Sequence, residues 1–236
     1  MAPIARATAA VRRTDASARP TQAARRSKSD RRLIAAALKL IAVNGADRTS
    51  LADIGVSAGY SRGLPGERFG SKQAMLEAIV DNMSDWFAAE VEKDRGGRQG
   101  LDAVRARIAA HFDAVVDAAD ATRTLEMLYI ESLGPIPELK TRMMAFTGEL
   151  VRGLAGHFDE AQKAGEIDAG LDCIVLAETC LCTMRGIVLQ SFFHSDRARL
   201  QTLRAQYLEF VECFLSAHAG KARAPAGRPG RPRRNN

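Results

Sequence analysis

The sequence predicts an all-α protein of about nine helices: a three-helix N-terminal head, a larger helical body, and a basic tail at each end. Three observations predict it. Apolar residues recur at three- and four-residue spacing through most of 30–217, and no stretch shows the alternation of a strand. Gly and Pro clusters cut this pattern into helix-length pieces. The pieces before residue 70 are short and separated by turn residues, as in a helix-turn-helix.

Each element has its own signals. A helix over 30–44 carries the stripe Leu33, Ile34, Ala37, Leu38 and Ile41 and stops at Gly45. A second, over 51–58, starts at the natural cap Ser50, has Asp53 three residues on, and ends at Gly59. A short third lies near 64–69. The fourth follows Ser71 and runs to about 93 with Met75, Leu76, Ile79, Val80, Met83, Trp86 and Phe87; Gly96, Gly97 and Gly100 end it. Five more are expected at 101–118, 122–133, 138–164, 171–193 and 197–217, broken by Pro135 and Pro137, by Gly165 to Gly170, and by 194–196. The expected organisation is a disordered basic arm (1–28), a helix-turn-helix domain (29–75), an effector-binding and dimerisation domain (76–218) and a disordered basic tail (219–236).

Composition narrows the function. Apolar residues make up 46% of 236 residues, enough for a real core. The net charge of +6 is uneven: residues 1–32 carry +7, residues 221–236 carry +6, and the body between is acidic at −7. Basic ends on an acidic body suit a polyanion. No apolar run approaches the roughly 18 residues of a membrane span, and no apolar h-region stands near the start, so no membrane partner and a cytoplasmic location are expected. Cys173, Cys180, Cys182 and Cys213 fit no zinc spacing and read as small buried hydrophobes. No phosphate loop, HExxH, GxSxG or grouped acid–His–nucleophile pattern occurs. Neither catalysis nor a metal nor a cofactor is expected. A sequence-nonspecific architectural DNA binder is the competing reading of the basic tails.

The informative stretch is Thr49-Ser50-Leu51-Ala52-Asp53-Ile54-Gly55, then Ala58-Gly59-Tyr60-Ser61-Arg62-Gly63, then Phe69-Gly70-Ser71-Lys72 followed by Leu76. In order and spacing it resembles the DNA-binding signature of the TetR family, over roughly residues 30–80. The resemblance implies a dimeric regulator of transcription bound to a double-stranded operator, with helices near 171–193 and 197–217 pairing the subunits. It assigns DNA contacts to Thr49 and Ser50 at a helix N-terminus, to Lys72 as a phosphate-binding lysine, to Arg62 as a base reader, and to Ser61, Gly63, Leu64 and Arg68 beside it. Arg31 and Arg32, with Arg25, Arg26 and Lys28, form a basic arm that reaches backbone or minor groove. Residues 227–233 resemble an AT-hook, although a solubilising tail is the plainer reading.

The chain departs from the family at 64–68, Leu-Pro-Gly-Glu-Arg. Pro65 predicts a third helix that starts late, with the proline in its first turn, or is distorted. Glu67 repels phosphate unless it accepts from a cytosine amine or pairs with Arg68.

In the body, Leu176, Leu181, Ile187, Leu203, Tyr207, Phe210 and Phe214 form the expected dimer stripe, with Ala177 and Gly186 allowing close approach. A pocket for a small hydrophobic effector is expected between 101–164 and 171–193. Its candidate lining is His111, Phe112, Met127, Tyr129, Met143, Met144, Phe146, Cys180, Met184 and Phe192.

Overall fold

The computed structural model describes residues 22–193 and 197–219. They form nine α-helices and one short 3-10 turn, with no strand among the described residues. The head comprises α1 (Gln22–Asn44), α2 (Leu51–Ser57) and α3 (Leu64–Phe69). The body comprises α4 (Lys72–Arg95), α5 (Gly100–Asp117), α6 (Ala119–Glu131), α7 (Lys140–Lys163), α8 (Cys173–Ser191) and α9 (Arg197–Ala217). The terminal segments 1–21 and 220–236, with the AT-hook-like stretch, lie outside the described residues.

Several boundaries differ from expectation for visible reasons. Helix α1 begins at Gln22, so 22–28, expected to be disordered, is helical and carries the basic residues Arg26 and Lys28 on its first turns. The Ser29 hydroxyl donates to the Arg26 carbonyl at 2.8 Å within this extension. Helix α6 begins at Ala119, with only Ala118 between it and the end of α5. The Thr122 hydroxyl ties that joint together, lying 3.1 Å from both the Ala114 and Ala118 carbonyl oxygens. Pro137 opens the 3-10 turn Pro137–Leu139, which leads into α7.

Caps set the other starts. Ser50 forms the expected reciprocal box with Asp53. Ser71 accepts from the Ala74 N–H at 3.0 Å, and Asp172 accepts from Ile174 and Val175 at 2.9 and 3.2 Å. Helix α3 has no side-chain cap; Pro65 stands in its first turn, where a missing N–H costs nothing.

The core is continuous from head to body because α4 belongs to both. Leu33, Ala37 and Ile41 of α1 meet Ile54 of α2 and Met75, Leu76 and Ile79 of α4. Farther along, the body closes around Ile108, Phe112, Phe146, Leu154 and Phe158, with Ala177 and Val188 of α8.

The helix-turn-helix rests on two glycines. Gly59 takes the left-handed φ of +77° that turns the chain after α2. Gly55, inside α2, faces the returning chain: a Cβ there would stand 2.5 Å from the Ser61 carbonyl oxygen and 3.1 Å from Pro65 Cδ. The buried Pro65 ring thus packs on the bare backbone of α2.

Helix α8 has 19 residues with a mean hydropathy of 1.5, long and apolar enough by length and composition to cross a membrane, a test that the core helix of a soluble protein also passes. Only 28% of that stretch is buried within the chain, and it carries the charges Glu178 and Arg185.

The packing at Gly55 yields a test. Gly→Ala in a helix interior usually gains about 0.5–1 kcal/mol, whereas forcing a methyl into a filled contact costs about 1–3 kcal/mol. The clash wins here. Gly55→Ala lowers the urea unfolding midpoint; a midpoint equal to or above that of the unsubstituted chain would show that the turn does not need the close approach.

Candidate nucleic-acid interface and effector pocket

The start of α2 is built by local chemistry. The Asp53 N–H donates to Ser50 Oγ at 3.1 Å, and Ser50 donates from its N–H and its hydroxyl to Asp53 Oδ2 at 3.2 and 2.5 Å. These bonds from Ser50 hold the Asp53 carboxyl below its usual range. Ser50 remains exposed at the helix end. Thr49 does not: its hydroxyl is buried and donates to the Gly45 carbonyl at 2.7 Å, so it fastens the α1–α2 turn rather than facing outward.

Ser61, Arg62 and Gly63 are exposed together on the turn before α3, and Leu64 is half-buried behind them. Lys72, at the first position of α4, donates to the Asp47 carbonyl at 2.8 Å. That bond brings its ammonium to the turn ahead of α2. Arg68 takes a different course. Its Nε donates to Asp30 Oδ1 at 2.7 Å, its Nη2 pairs with Asp30 Oδ2 and reaches the Arg26 carbonyl at 3.2 Å, and its side chain is 13% exposed. Two of its three guanidinium nitrogens are committed to α1.

Arg31 and Arg32 are exposed on α1. The Arg32 guanidinium lies 5.6 Å from the centre of the Tyr60 ring. Arg26, Lys28, Arg32, Tyr60 and Arg68 surround an open cleft of about 560 Å³ between α1, the turn after α2, and α3. Arg25 lies in α1, among residues whose side chains lie outside the description.

Residues 33–79 match the family described as bacterial regulatory proteins, tetR family. The HTH-type transcriptional regulator BetI of Paraburkholderia xenovorans (strain LB400) is 30% identical over 131 residues, spanning 55% of this chain and 67% of that protein. The chain belongs to the TetR family. A BetI from Burkholderia cenocepacia (strain HI2424) is 28% identical over 148 residues, covering 61% of this chain and 76% of its own. Among solved structures, a TetR-family regulator from Rhodococcus sp. superposes with a TM-score of 0.72 at 20% identity, over 80% of this chain and 99% of that one. The Bacillus subtilis regulator FadR in complex with stearoyl-CoA gives 0.69 at 22% identity, over 77% and 96%. This chain is therefore a DNA-binding transcriptional regulator and not an enzyme.

The TetR-type body holds a small cavity of about 40 Å³ between α4, α5, α6 and α7. Of the expected lining residues, His111 and Phe146 reach it. Phe112, Met143 and Met184 are buried in general core packing. Tyr129 and Met144 line an open groove of about 450 Å³ beside α8, and Cys180 lines a gap of about 80 Å³ against α9. Met127 lies instead by the α1–α2 turn, its Cε 3.4 Å from where a Cβ on Gly45 would stand. Phe192 sits under Arg123, whose guanidinium is 5.1 Å from the ring centre.

Sequence reasoning missed the cavity's Trp86, Phe87, Leu125 and Leu150, and above all Glu126. Glu126 is 6% exposed, and Arg185 Nε of α8 lies 3.7 Å from its Oε1. Burial raises the Glu126 carboxyl's pKa, and Arg185 opposes the shift. The available signal was a lone charge on the inward face of each of two helices. His111 stands edge-on between Phe87 and Phe112, each ring centre 6.0 Å away. Burial, reinforced by Arg185 and Arg107, pulls its pKa down to about 4.

The outward face of α8 and α9 also differs from expectation. Ala177, Leu181 and Tyr207 point into the chain's own core. Ile174, Val175 and Phe210 are exposed, as are Gly186, Cys182 and Cys213; of the four thiols, Cys180 alone is buried and Cys173 is half-buried.

The state of His111 gives a pH test. The unfolded chain takes up its proton near pH 6.5, the folded chain only near 4. Between these values the unfolded state binds more protons, so stability falls as pH falls. The loss attached to this residue is about 1–3 kcal/mol. His111→Phe should flatten the unfolding free energy between pH 6.5 and 4 relative to the unsubstituted chain; parallel curves would show that His111 takes up its proton over the same pH range folded as unfolded.

Proposed function

We propose that this regulator is a cytoplasmic homodimer that represses transcription from a palindromic operator and leaves it when a small hydrophobic effector enters the cavity. One observation carries the reading. Helix α6, which walls the cavity, is bonded to the DNA-binding head at two places. The Thr124 hydroxyl, fully buried, donates to the Leu38 carbonyl of α1 at 2.8 Å. Glu131 Oε2 accepts from the Ala46 and Asp47 N–H groups at 2.9 and 3.2 Å, in the turn that leads into α2. A shift of α6 moves the head.

The DNA-facing set in this reading is Arg31, Arg32, Ser50, Ser61, Arg62, Gly63 and Lys72, with Arg26 and Lys28 on the α1 extension. Ser50 stands exposed at a helix start, where the positive end of the helix dipole favours an anion. Arg62 stands unshielded on the turn and pairs bidentately with guanine. Lys72 neutralises backbone phosphate. Arg68 acts from inside, through Asp30.

Exposed apolar groups on α8 and α9 support pairing through those helices, in a four-helix bundle of two subunits. Pairing fixes the separation of two heads, and a duplex accepts only spacings near one helical turn or a multiple. An effector that prefers the other spacing lowers DNA affinity by the same factor by which DNA lowers its own. The FadR neighbour holds stearoyl-CoA; a ligand with a long apolar body agrees with the lining seen here.

The test is selection of bound duplexes from a random pool, with sedimentation of the selected complex. Two inverted half-sites bound by two chains are expected. A pool that stays random, or one chain per duplex, would defeat the proposal. On the selected operator, Arg62→Ala is expected to relax preference at one base position by about 1–3 kcal/mol. Lys72→Ala should weaken every sequence alike and reduce the salt slope by about one; a changed base preference would assign it a different role.

A further inference from the structure

The open cleft of the head holds a hydroxyl among four cations. Ser29 lines it together with Arg26, Lys28, Arg32 and Arg68. Its Oγ donates to the Arg26 carbonyl at 2.8 Å, and Arg68 Nη2, from α3, donates to the same oxygen at 3.2 Å. Two groups bonded to one oxygen are close neighbours. An anion carried on Ser29 Oγ would therefore lie against the Arg68 guanidinium, the geometry in which arginine holds phosphate best.

The surrounding chain also suits an enzyme that adds such an anion. In Arg25-Arg26-Ser27-Lys28-Ser29, arginines stand three and four residues ahead of the acceptor. Kinases that select basic substrates read charge patterns of this kind. Ser29 is half-buried on α1, and the core contributed by that helix begins only at Leu33. The turns ahead of Leu33 can unwind into another protein's cleft without opening the core.

We infer that Ser29 is a phosphorylation site for a serine/threonine kinase that prefers basic sequences, and that the phosphate lowers operator affinity. The second half rests on the reading of α1 as DNA-facing. In the transfer, Ser29 Oγ forms a bond to the γ-phosphorus of ATP. The bond from that phosphorus to the bridging oxygen breaks, ADP leaves, and the hydroxyl proton passes to a base of the kinase.

The added group acts through charge already in place. A phosphoserine brings about −1.5 to −2 charge at pH 7 and three acceptor oxygens. The ester oxygen has no hydrogen left for the Arg26 carbonyl, so Arg68 Nη2 turns from that carbonyl to the phosphate. Arg68 Nε stays on Asp30. Arg26, Lys28 and Arg32, which the unmodified head presents to DNA, face a phosphate of the chain's own instead. The head then neutralises fewer backbone phosphates and carries a group that repels them.

Three measurements on the full chain test this. A kinase that selects arginine three residues ahead of its acceptor, supplied with ATP, should label Ser29; Ser29→Ala should lose that label and bind operator as the unsubstituted chain does. Phosphoserine placed at position 29 during synthesis should show a phosphorus resonance that titrates below the second pKa of about 6 of a free phosphoserine. Arg68→Gln or Arg32→Gln, each checked for its melting transition, should return that titration toward the free value. Operator affinity of the phosphorylated chain should fall at least about tenfold at about 0.15 M salt, with the gap closing as salt rises. No label at Ser29, an unshifted phosphorus titration, or an operator affinity untouched by the phosphate would each overturn the inference. An unmodified chain that selects no operator would instead defeat the reading under which the head meets DNA, and the label and the titration would still judge the site.

Discussion

Two side chains of α6, Thr124 and Glu131, decide how the molecule works as a unit. They bond to backbone groups of α1 and of the α1–α2 turn: Thr124 is a second donor to the Leu38 carbonyl, and Glu131 accepts from the Ala46 and Asp47 N–H groups. A net hydrogen bond contributes about 0.5–1.5 kcal/mol, so together they favour one seat for the head. Thr49 completes that seat from within, its hydroxyl closing the turn against the Gly45 carbonyl. The proposed DNA-facing surface is thus hydrogen-bonded to the body at its root.

The three-helix head was largely legible in the sequence, because its determinants are local. Ser50 with Asp53 marks a helix start, Gly59 marks a reversal, and Pro65 can sit only at the first turn of α3. The last of these shows why an unusual residue was absorbed without distortion. Its ring fills the space that Gly55 leaves open, a long-range match that no window of sequence displays. The early start of α1 was missed for the converse reason. An Ala- and Arg-rich segment lacks an apolar stripe, yet its helix continues one already nucleated by Leu33 and Ile41.

The cavity was only partly legible. Periodicity identified inward-facing residues of α5, α6 and α7, but inward is not the same as cavity-lining. Phe112 and Met143 are held in packing on all sides, whereas Phe146 on the same helix as Met143 borders empty space. Glu126 and Arg185 were overlooked because each reads alone as a surface charge, and they meet only when α6 and α8 are folded together. The dimer stripe was likewise drawn from apolar spacing, which cannot tell which flank of α8 the rest of the chain has already covered.

The clasp between Arg68 and Asp30 narrows what the head can read. A six-residue helix that contains a proline and a glycine, and whose one arginine is engaged with α1, keeps few arms for base edges. If α3 enters the groove as proposed, such a reader would take much of its selectivity from how easily a duplex adopts the required curvature and groove width. Promoters under its control would then be sorted by the stiffness of base steps that no side chain touches, and their untouched central base pairs would drift less than a map of direct contacts implies.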